Sequence, residues 1–457
     1  MQNSIRSLCL LACLLVACST ATPATDEPSA PAATTETPLP PADSAEPSSL
    51  TATTTAVAET PTAVAIGEDL ATTPEGDNTV AWRDEDLALT SLATADFPDA
   101  RSIDVAVTNG AIYVALGIDE HIFVAHSADD GRTFTEPVLA SRDQPALVLA
   151  IERPAIIASG DGRVSVAWSS PDYEGSIWFA HSGDSGDSFG PSIRLSGSPQ
   201  METVLPRMAL DPAGNPLVVW LERSTLRLAR SADGGQSFAT SELLDDRTCD
   251  CCHPQPLVSD ERLFIAYRNL EVEGGRQSRD IFFTASSDDG ATFTPEIRVS
   301  DSHWYLNACP ISGPALAFDG DTIYVSWMDG RHDSQGDFSH TDIWLATSVD
   351  GGQSFSANRR INPTAAVYNN LPSLALDAAG QLHVIWEARE AEQDVIYYAR
   401  SADSGRSFTT PAVLVSSQDS SGRKRPGNAS LAIGPDGIIY VTWVDTLGAH
   451  AGAWSVE

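Results

Sequence analysis

Basic residues are scarce in this chain of 457 residues, and their scarcity excludes several classes of partner. Lysine and arginine together number 27 against 62 aspartates and glutamates, so the formal net charge is −35. The only lysine is Lys424. A surface this acidic repels phosphate backbones and anionic lipid headgroups. We therefore expect no nucleic-acid partner and no direct binding to an anionic membrane surface.

Apolar runs long enough to span a membrane are absent as well. The run from Leu8 to Val16 has about half of the roughly 20 residues that a membrane-spanning helix needs. It leads into Leu15-Val16-Ala17-Cys18, which has the form of a secretory signal that ends at a lipidated cysteine. We therefore predict a lipoprotein signal peptide over residues 1–17 and a lipid anchor on Cys18.

Large apolar side chains are nearly missing between Ser19 and Asn78, where Ala, Thr, Pro, Ser and Glu dominate. Such a composition cannot bury enough surface to fold. We predict that residues 18–78 form a disordered, extended stalk below a domain at 79–457. By resemblance to lipoprotein sorting rules, Ser19 favours the outer membrane. We expect an exported protein held at the bacterial cell envelope, on the outer membrane or outer face, by its lipid alone.

Six copies of one eight-residue motif organise the rest of the chain. Each copy reads Ser-x-Asp-x-Gly-x-Ser/Thr-Phe, and the copies begin at Ser127, Ser182, Ser231, Ser286, Ser348 and Ser401. The spacings of 55, 49, 55, 62 and 53 residues fit one small antiparallel sheet per repeat. The Asp can accept hydrogen bonds from its own turn, and the Gly can take a positive φ. The motif therefore predicts a turn between two strands.

This motif resembles the Asp-box, or BNR repeat, of the sialidase-like β-propellers, and its copies cover residues 127 to 408. The resemblance implies an all-β propeller of four-stranded blades. It also implies a structural role for the six Asp residues, with calcium binding as the alternative. Enzymes and binding proteins both carry such repeats, so the motif predicts the fold and leaves the function open.

A three-strand pattern ahead of the motifs starts seven times. The second strands are Ile112 to Leu116, Val164 to Trp168, Pro216 to Trp220, Leu263 to Tyr267, Thr322 to Trp327, Leu382 to Trp386 and Ile438 to Trp443. The seventh unit lacks an outermost strand, and we expect Thr79 to Leu89 to supply it and close the ring. We predict a monomer with seven blades; six, as in sialidases, is the alternative.

Four cysteines lie in the domain. Cys249, Cys251 and Cys252 precede the fourth unit and Cys309 precedes the fifth, so a propeller places both segments at one end of its channel. With His253 they offer soft ligands that suit copper(I) or zinc. In an oxidising compartment they would instead form disulfides or a redox-active pair. The expected pairings are Cys249 or Cys252 with Cys309, or a vicinal Cys251 to Cys252 bond.

Two long loops, Asn269 to Arg279 and Met328 to Thr341, are expected at the same end of the propeller. The candidate binding residues there are Arg268, Arg331, His332 and Trp304. Concave ends of this kind favour ligands. We therefore predict a ligand-binding module that takes a glycan, another small ligand or a metal at a mouth rich in cysteine and histidine.

The resemblance also implies an alternative, an exo-sialidase that acts on terminal sialic acids. Sialidases use three arginines and a tyrosine nucleophile assisted by a glutamate. Arg268 resembles the second arginine and Tyr368, in Tyr368-Asn-Asn-Leu371, resembles the nucleophile, so these two are the candidate catalytic residues. Arg101 and Arg153 both resemble the first arginine. The stretch that should hold the glutamate, Cys249 to His253, contains none, so we expect no turnover of a sialoside.

Overall fold

A computed structural model describes residues 78–85, 87–108, 110–171, 175–196, 203–331, 340–363, 368–390, 393–417 and 426–456. The predicted signal peptide, Cys18, the stalk up to residue 77 and His332 lie outside these residues. The described residues form strands and turns without a helix. None of them therefore belongs to a helix able to cross a bilayer.

Seven antiparallel sheets of four strands form the blades of a propeller. The first blade has β3 (Ala100–Thr108), β4 (Ala111–Ile118), β5 (His121–Ser127) and β6 (Val138–Leu139), and the second has β7 (Ala155–Ala158), β8 (Val164–Ser169), β9 (Ile177–Ser182) and β10 (Ile193–Arg194). The third blade has β11 (Thr203–Leu210), β12 (Pro216–Glu222), β13 (Thr225–Arg230) and β14 (Glu242–Asp245). The fourth has β15 (Gln255–Ser259), β16 (Arg262–Arg268), β19 (Ile281–Ser286) and β20 (Ile297–Arg298).

The fifth blade has β21 (Ala315–Phe318), β22 (Ile323–Asp329), β23 (Asp342–Ser348) and β24 (Arg359–Arg360). The sixth has β25 (Tyr368–Leu376), β26 (Leu382–Arg389), β27 (Asp394–Ser401) and β29 (Ala412–Ser416). The seventh has β30 (Gly427–Ile433), β31 (Ile439–Asp445), β32 (Gly448–Val456) and β2 (Leu89–Phe97). Two small sheets stand apart: β1 (Ala81–Arg83) with β28 (Ser407–Thr409), and β17 (Glu271–Glu273) with β18 (Arg276–Ser278). The seven-blade prediction is confirmed.

The ring closes through β2, which completes the seventh blade beside β32 and runs antiparallel to it. The prediction that Thr79 to Leu89 would close the ring is therefore wrong in position. Leu89 pairs with Val456 and Phe97 with Ala449. Upstream, Thr79 bridges to Arg360 and β1 lies parallel to β28. The later segment is selected because apolar side chains of β2 pack into the cores on both sides of the seventh blade.

The second strand of each blade carries most of the core. Every residue of β8, β12 and β22 is buried, as expected for strands covered on both faces. Five of these strands place a tryptophan at the same position: Trp168, Trp220, Trp327 and Trp386 are 0–1% exposed, and Trp443 is 6% exposed. Large rings between adjacent blades fill the space that widens away from the axis.

The six repeated motifs form one kind of turn after the third strand of a blade. In each, the Ser Oγ accepts a hydrogen bond from the Gly amide at 2.8–2.9 Å. The Asp accepts the amide of the Ser or Thr that follows at 2.8–3.0 Å. The six glycines have φ of 75–90°, which a residue with a Cβ rarely adopts. All six turns lie at the end opposite the cysteines.

Candidate functional site at the channel mouth

The structure brings the two cysteine segments together at the crossings into the fourth and fifth blades. Cys251 is bonded to Cys309 across 58 residues, with Cα atoms 6.3 Å apart. This pairing differs from the expected ones, because neither Cys249 nor Cys252 reaches Cys309. The amide of Cys249 donates to the carbonyl of Arg268 at 2.8 Å, which fixes the start of the segment against β16.

Cys249 and Cys252 remain as thiols in the interior, 0% and 1% exposed. Their sulfurs are 3.0 Å apart, and the Cys251 sulfur lies 3.5 Å from Cys249 and 3.8 Å from Cys252. Burial alone would raise the pKa of Cys249. The hydrogen bond with Cys252 and the charges of Arg279 and Arg268 outweigh burial and lower that pKa to about 7. The three sulfurs lie within 4.8 Å of one another, and the Cys251 sulfur is already bonded to Cys309.

The two arginines beside the sulfurs are buried and held by backbone. Arg279 donates to the Cys249 sulfur at 2.9 Å and to the carbonyl of Leu306 at 3.2 Å. Arg268, a candidate binding and catalytic residue, donates to the carbonyls of Ser312, Arg279 and Met328. Its guanidinium also faces the buried ring of Trp304. Arg268 and Trp304 are therefore buried packing residues of the mouth, and the Arg268 nitrogens already donate to backbone carbonyls.

Arg331, another candidate binding residue, links blades. Its guanidinium binds the buried carboxylate of Asp329 through two nitrogens and reaches Asp301 through the third. It also lies 4.0 Å over the ring of Trp344, and only 4% of its side chain is exposed. Burial opposes ionisation, but the charge of Asp329 raises the pKa of Arg331. The contacts assign Arg331 a structural role.

His253 lines a cavity and is not one of the three residues whose sulfurs cluster. The other lining residues are Ile151, Arg153, Leu205, Arg207, Cys251, Ile311, Leu371 and Asn428. The cavity has about 300 Å³ between atoms, of which the centres of water molecules can occupy about 20 Å³. It therefore has room for a group of a few atoms and not for a sugar ring.

Two arginines from different blades share this cavity without an acidic partner in contact. Among the described residues, no carboxylate lies within 4.0 Å of Arg153 or Arg207. The Nε atoms of Arg153 and Arg207, and Nδ1 of His253, are buried and have no hydrogen-bond partner among the residues that the structure describes. Burial, followed by repulsion from Arg153, lowers the pKa of Arg207 to about 9. Arg101, the other match to the first arginine, instead binds carbonyls at the surface.

The nearby acids are held by neutral donors. Glu152 accepts hydrogen bonds from the hydroxyl of Ser169 and the amide of Leu205. Asp104 accepts one from Ser430, and Glu387 accepts the amide of Ala429. Burial raises the pKa of Glu387 to about 7. The acids moderate the positive charge at a distance. Arg153 and Arg207 each donate one Nη1 to a backbone carbonyl, of Ala429 and Pro206, and their Nε donors have no hydrogen-bond partner.

The channel wall contains four residues with left-handed backbone. They are Leu205, Ile311, Leu371 and Asn428, with φ of 59°, 51°, 45° and 53°. Three of them lie at bulges in the innermost strands β11, β25 and β30. A branched residue such as Ile311 rarely adopts this conformation. Strained backbone of this kind concentrates at functional sites.

Tyr368 lies at the start of β25 and has a glutamate near it that the sequence did not reveal. The β25–β26 register places Glu387 opposite Asn370, and the Asn370 amide donates to the Tyr368 hydroxyl at 2.9 Å. Burial, then the charge of Glu387, raises the pKa of Tyr368 to about 12. Glu387 comes from the strand after Tyr368, not from the cysteine segment where the resemblance led us to look.

No family model and no curated protein matches this chain. Among solved structures, it is similar to a polysaccharide lyase, PL25 ulvan lyase, at 11% identity and a TM-score of 0.53, over 79% of this chain and 96% of that one. It is also similar to the BP39L lectin from Burkholderia pseudomallei, at 12% identity and a TM-score of 0.51, over 77% and 98%. The NanB sialidase from Streptococcus pneumoniae matches at 10% identity and a TM-score of 0.46, over 66% and 67%. The chain thus shares its fold with the lyase and the lectin.

Proposed function

We propose that this protein is a binding propeller whose ligand is an acidic glycan, recognised through a carboxylate that enters the channel cavity. The observation that carries the proposal is the pair Arg153 and Arg207, which line the cavity and whose buried Nε donors have no hydrogen-bond partner. Keeping two like charges together away from water costs free energy unless an anion joins them. The cavity admits a carboxylate but not a sugar ring, so the rest of the glycan lies at the mouth.

Oligosaccharides that contain glucuronate are suitable probes, because an ulvan lyase of the same fold was solved bound to -[GlcA(1-4)Rha3S]-. Titration calorimetry should show binding of the uronate oligosaccharide and at least about tenfold weaker binding of its carboxyl-reduced counterpart. Losing one charge-assisted hydrogen bond costs roughly 1.5–3 kcal/mol. Equal affinity for both sugars would refute recognition through a carboxylate.

The matched variants are Arg207→Gln and Arg132→Gln. Arg132 belongs to a motif turn at the opposite end of the propeller, where 54% of its side chain is exposed. Arg207→Gln should weaken uronate binding about tenfold or more, whereas Arg132→Gln should leave it unchanged. If the two variants behave alike, a general electrostatic effect explains the binding and the cavity does not.

A second candidate, hydrolysis at the same mouth, is favoured by one observation, the proximity of Tyr368 to Glu387. A tyrosine nucleophile needs a base to relieve it of its proton. We expect no enzyme-like turnover of a fluorogenic sialoside, because burial and Glu387 keep the Tyr368 phenol protonated. Turnover that disappears in Tyr368→Phe would establish the hydrolase instead.

A further inference from the structure

Cys249 and Cys252 form a C-x-x-C pair whose sulfurs are close together and not bonded to each other. The sulfurs are 3.0 Å apart and enclosed by protein on all sides. Cys251, between them in sequence, is bonded to Cys309 and cannot serve as a thiolate. The ring of His253 faces the channel cavity. Among the described residues of the cluster, Cys249 and Cys252 are therefore the sulfur ligands that remain.

We propose that Cys249 and Cys252 bind one copper(I) ion. Thiolates are soft ligands that select soft ions, with copper(I) among them. Zinc in a structural site takes four protein ligands, and this pair supplies two. The proposal goes beyond the anion cavity, since it uses different side chains and a cation in place of an anion.

The charge around the pair fits such a complex. One copper(I) ion with two thiolates carries a net charge of −1. Arg279 donates to the Cys249 sulfur at 2.9 Å, and Arg268 lies in the same wall with its position fixed by three carbonyls. An adjacent guanidinium offsets much of the cost of holding an anionic complex in the interior.

The binding step involves no electron transfer. The two S–H bonds break, two Cu–S bonds form, and two protons leave to solvent, while copper remains in the +1 state. The bond between Cys251 and Cys309 is kept throughout. It ties the crossing into the fourth blade to the crossing into the fifth, so the two free thiols are positioned before the ion arrives. Such preorganisation lowers the entropic cost of binding.

The test is an anaerobic titration of the whole chain with copper(I) against the chelator bicinchoninate, followed by native mass spectrometry. We expect one copper per chain, with X-ray absorption showing two sulfur neighbours. Cys249→Ser and Cys252→Ser should each lower the affinity by more than about 100-fold, beyond the 10–100-fold typical of changes around a metal ligand. His253→Ala should leave the affinity unchanged, because its ring faces the cavity.

Peptide mapping keeps the proposal testable if the serine variants fail to fold. The wild-type protein is denatured without reduction, after copper has been removed by the chelator, and its thiols are alkylated. We expect label on Cys249 and Cys252 and an unlabelled, disulfide-linked pair of peptides that contain Cys251 and Cys309. Label on neither Cys249 nor Cys252 would mean that they form a disulfide, and the copper site would be ruled out. A protein that binds zinc and not copper, or that loses copper in His253→Ala, would equally overturn it.

Discussion

Glu387 of the sixth blade accepts a hydrogen bond from the amide of Ala429 in the seventh blade, at 3.0 Å. The contact joins the second strand of one blade to the innermost strand of the next. It also holds a carboxyl group whose burial raises its pKa to about 7 from the ordinary value of 4.5. The raised pKa of Glu387 therefore makes folding stability depend on pH.

Below pH 4.5 the Glu387 carboxyl is protonated in both the folded and the unfolded chain. As the pH rises, the unfolded chain ionises first, so stability falls between about pH 4.5 and 7. Glu387→Gln removes this dependence. We expect the variant to gain about 3 kcal/mol relative to wild type between pH 4.5 and 8, at 1.36 kcal/mol per pKa unit. Urea unfolding of both proteins at pH 4.5 and pH 8 measures this gain. The same difference in stability between variant and wild type at both pH values would contradict the raised pKa of Glu387.

Arg207→Gln should leave the unliganded protein as stable as wild type, or more stable. The substitution removes a buried cation that lies near Arg153 and has no carboxylate in contact among the described residues. Replacing an uncompensated buried charge relieves its desolvation cost. Thermal unfolding without ligand checks this expectation. A loss of several kcal/mol would instead make Arg207 a structural residue and remove the main support for the anion cavity.

Arg331→Gln should behave in the opposite way. Its loss leaves Asp329, which is 2% exposed, without its bidentate partner. Breaking a buried pair from one side costs about 3–5 kcal/mol. Denaturant unfolding should show that loss, with the exposed Arg132→Gln as a control within about 0.5 kcal/mol of wild type. If Arg331→Gln were neutral, the ion pair would not stabilise the ring.

The motif turns should lose stability in acid. The pKa values of Asp184, Asp233 and Asp288 are lowered to about 2, chiefly by hydrogen bonds from the Ser and Thr hydroxyls of their own turns. A lowered pKa contributes stability above about pH 3.8 that is lost as the pH falls toward 2. Wild type should therefore exceed Asp233→Asn in stability at pH 7, and the difference should shrink by pH 3. A constant difference would argue against hydrogen bonds to the ionised carboxylate.

Ring closure can be tested by shortening the chain from its start. Removal of residues 1–77 should leave the unfolding temperature unchanged, because the sequence predicts a signal and a stalk there. Removal through residue 98 takes away β2 and exposes the edge of β32, and we expect a loss of roughly 3–5 kcal/mol, the cost of exposing several partly buried apolar side chains. Removal through residue 86 takes away β1 and the buried Val80 but leaves β2, and it should cost less. Equal stability of all three would contradict closure by β2.

Much of the architecture followed from local pattern. The turn chemistry of the six motifs and the seven apolar second strands each depend on a few neighbouring residues, and both predicted the blades correctly. The order of strands within a blade also predicted that the cysteine segments share one end of the channel. The closing strand was placed too early because an acidic, weakly alternating segment such as Thr79 to Leu89 does not show which edge it will pair with.

The sequence by itself determined the repeated sheet, because alternation and turn residues act over distances of a few residues. Only the tertiary structure decided which side chains meet at the axis. Cys251 bonds to Cys309, although Cys249 and Cys252 lie within two residues of it, because pairing depends on the direction of each Cβ and not on spacing. Arg153, Arg207 and Glu387 come together for a related reason: they lie in three different blades, and closure of the ring is what brings the blades around one channel.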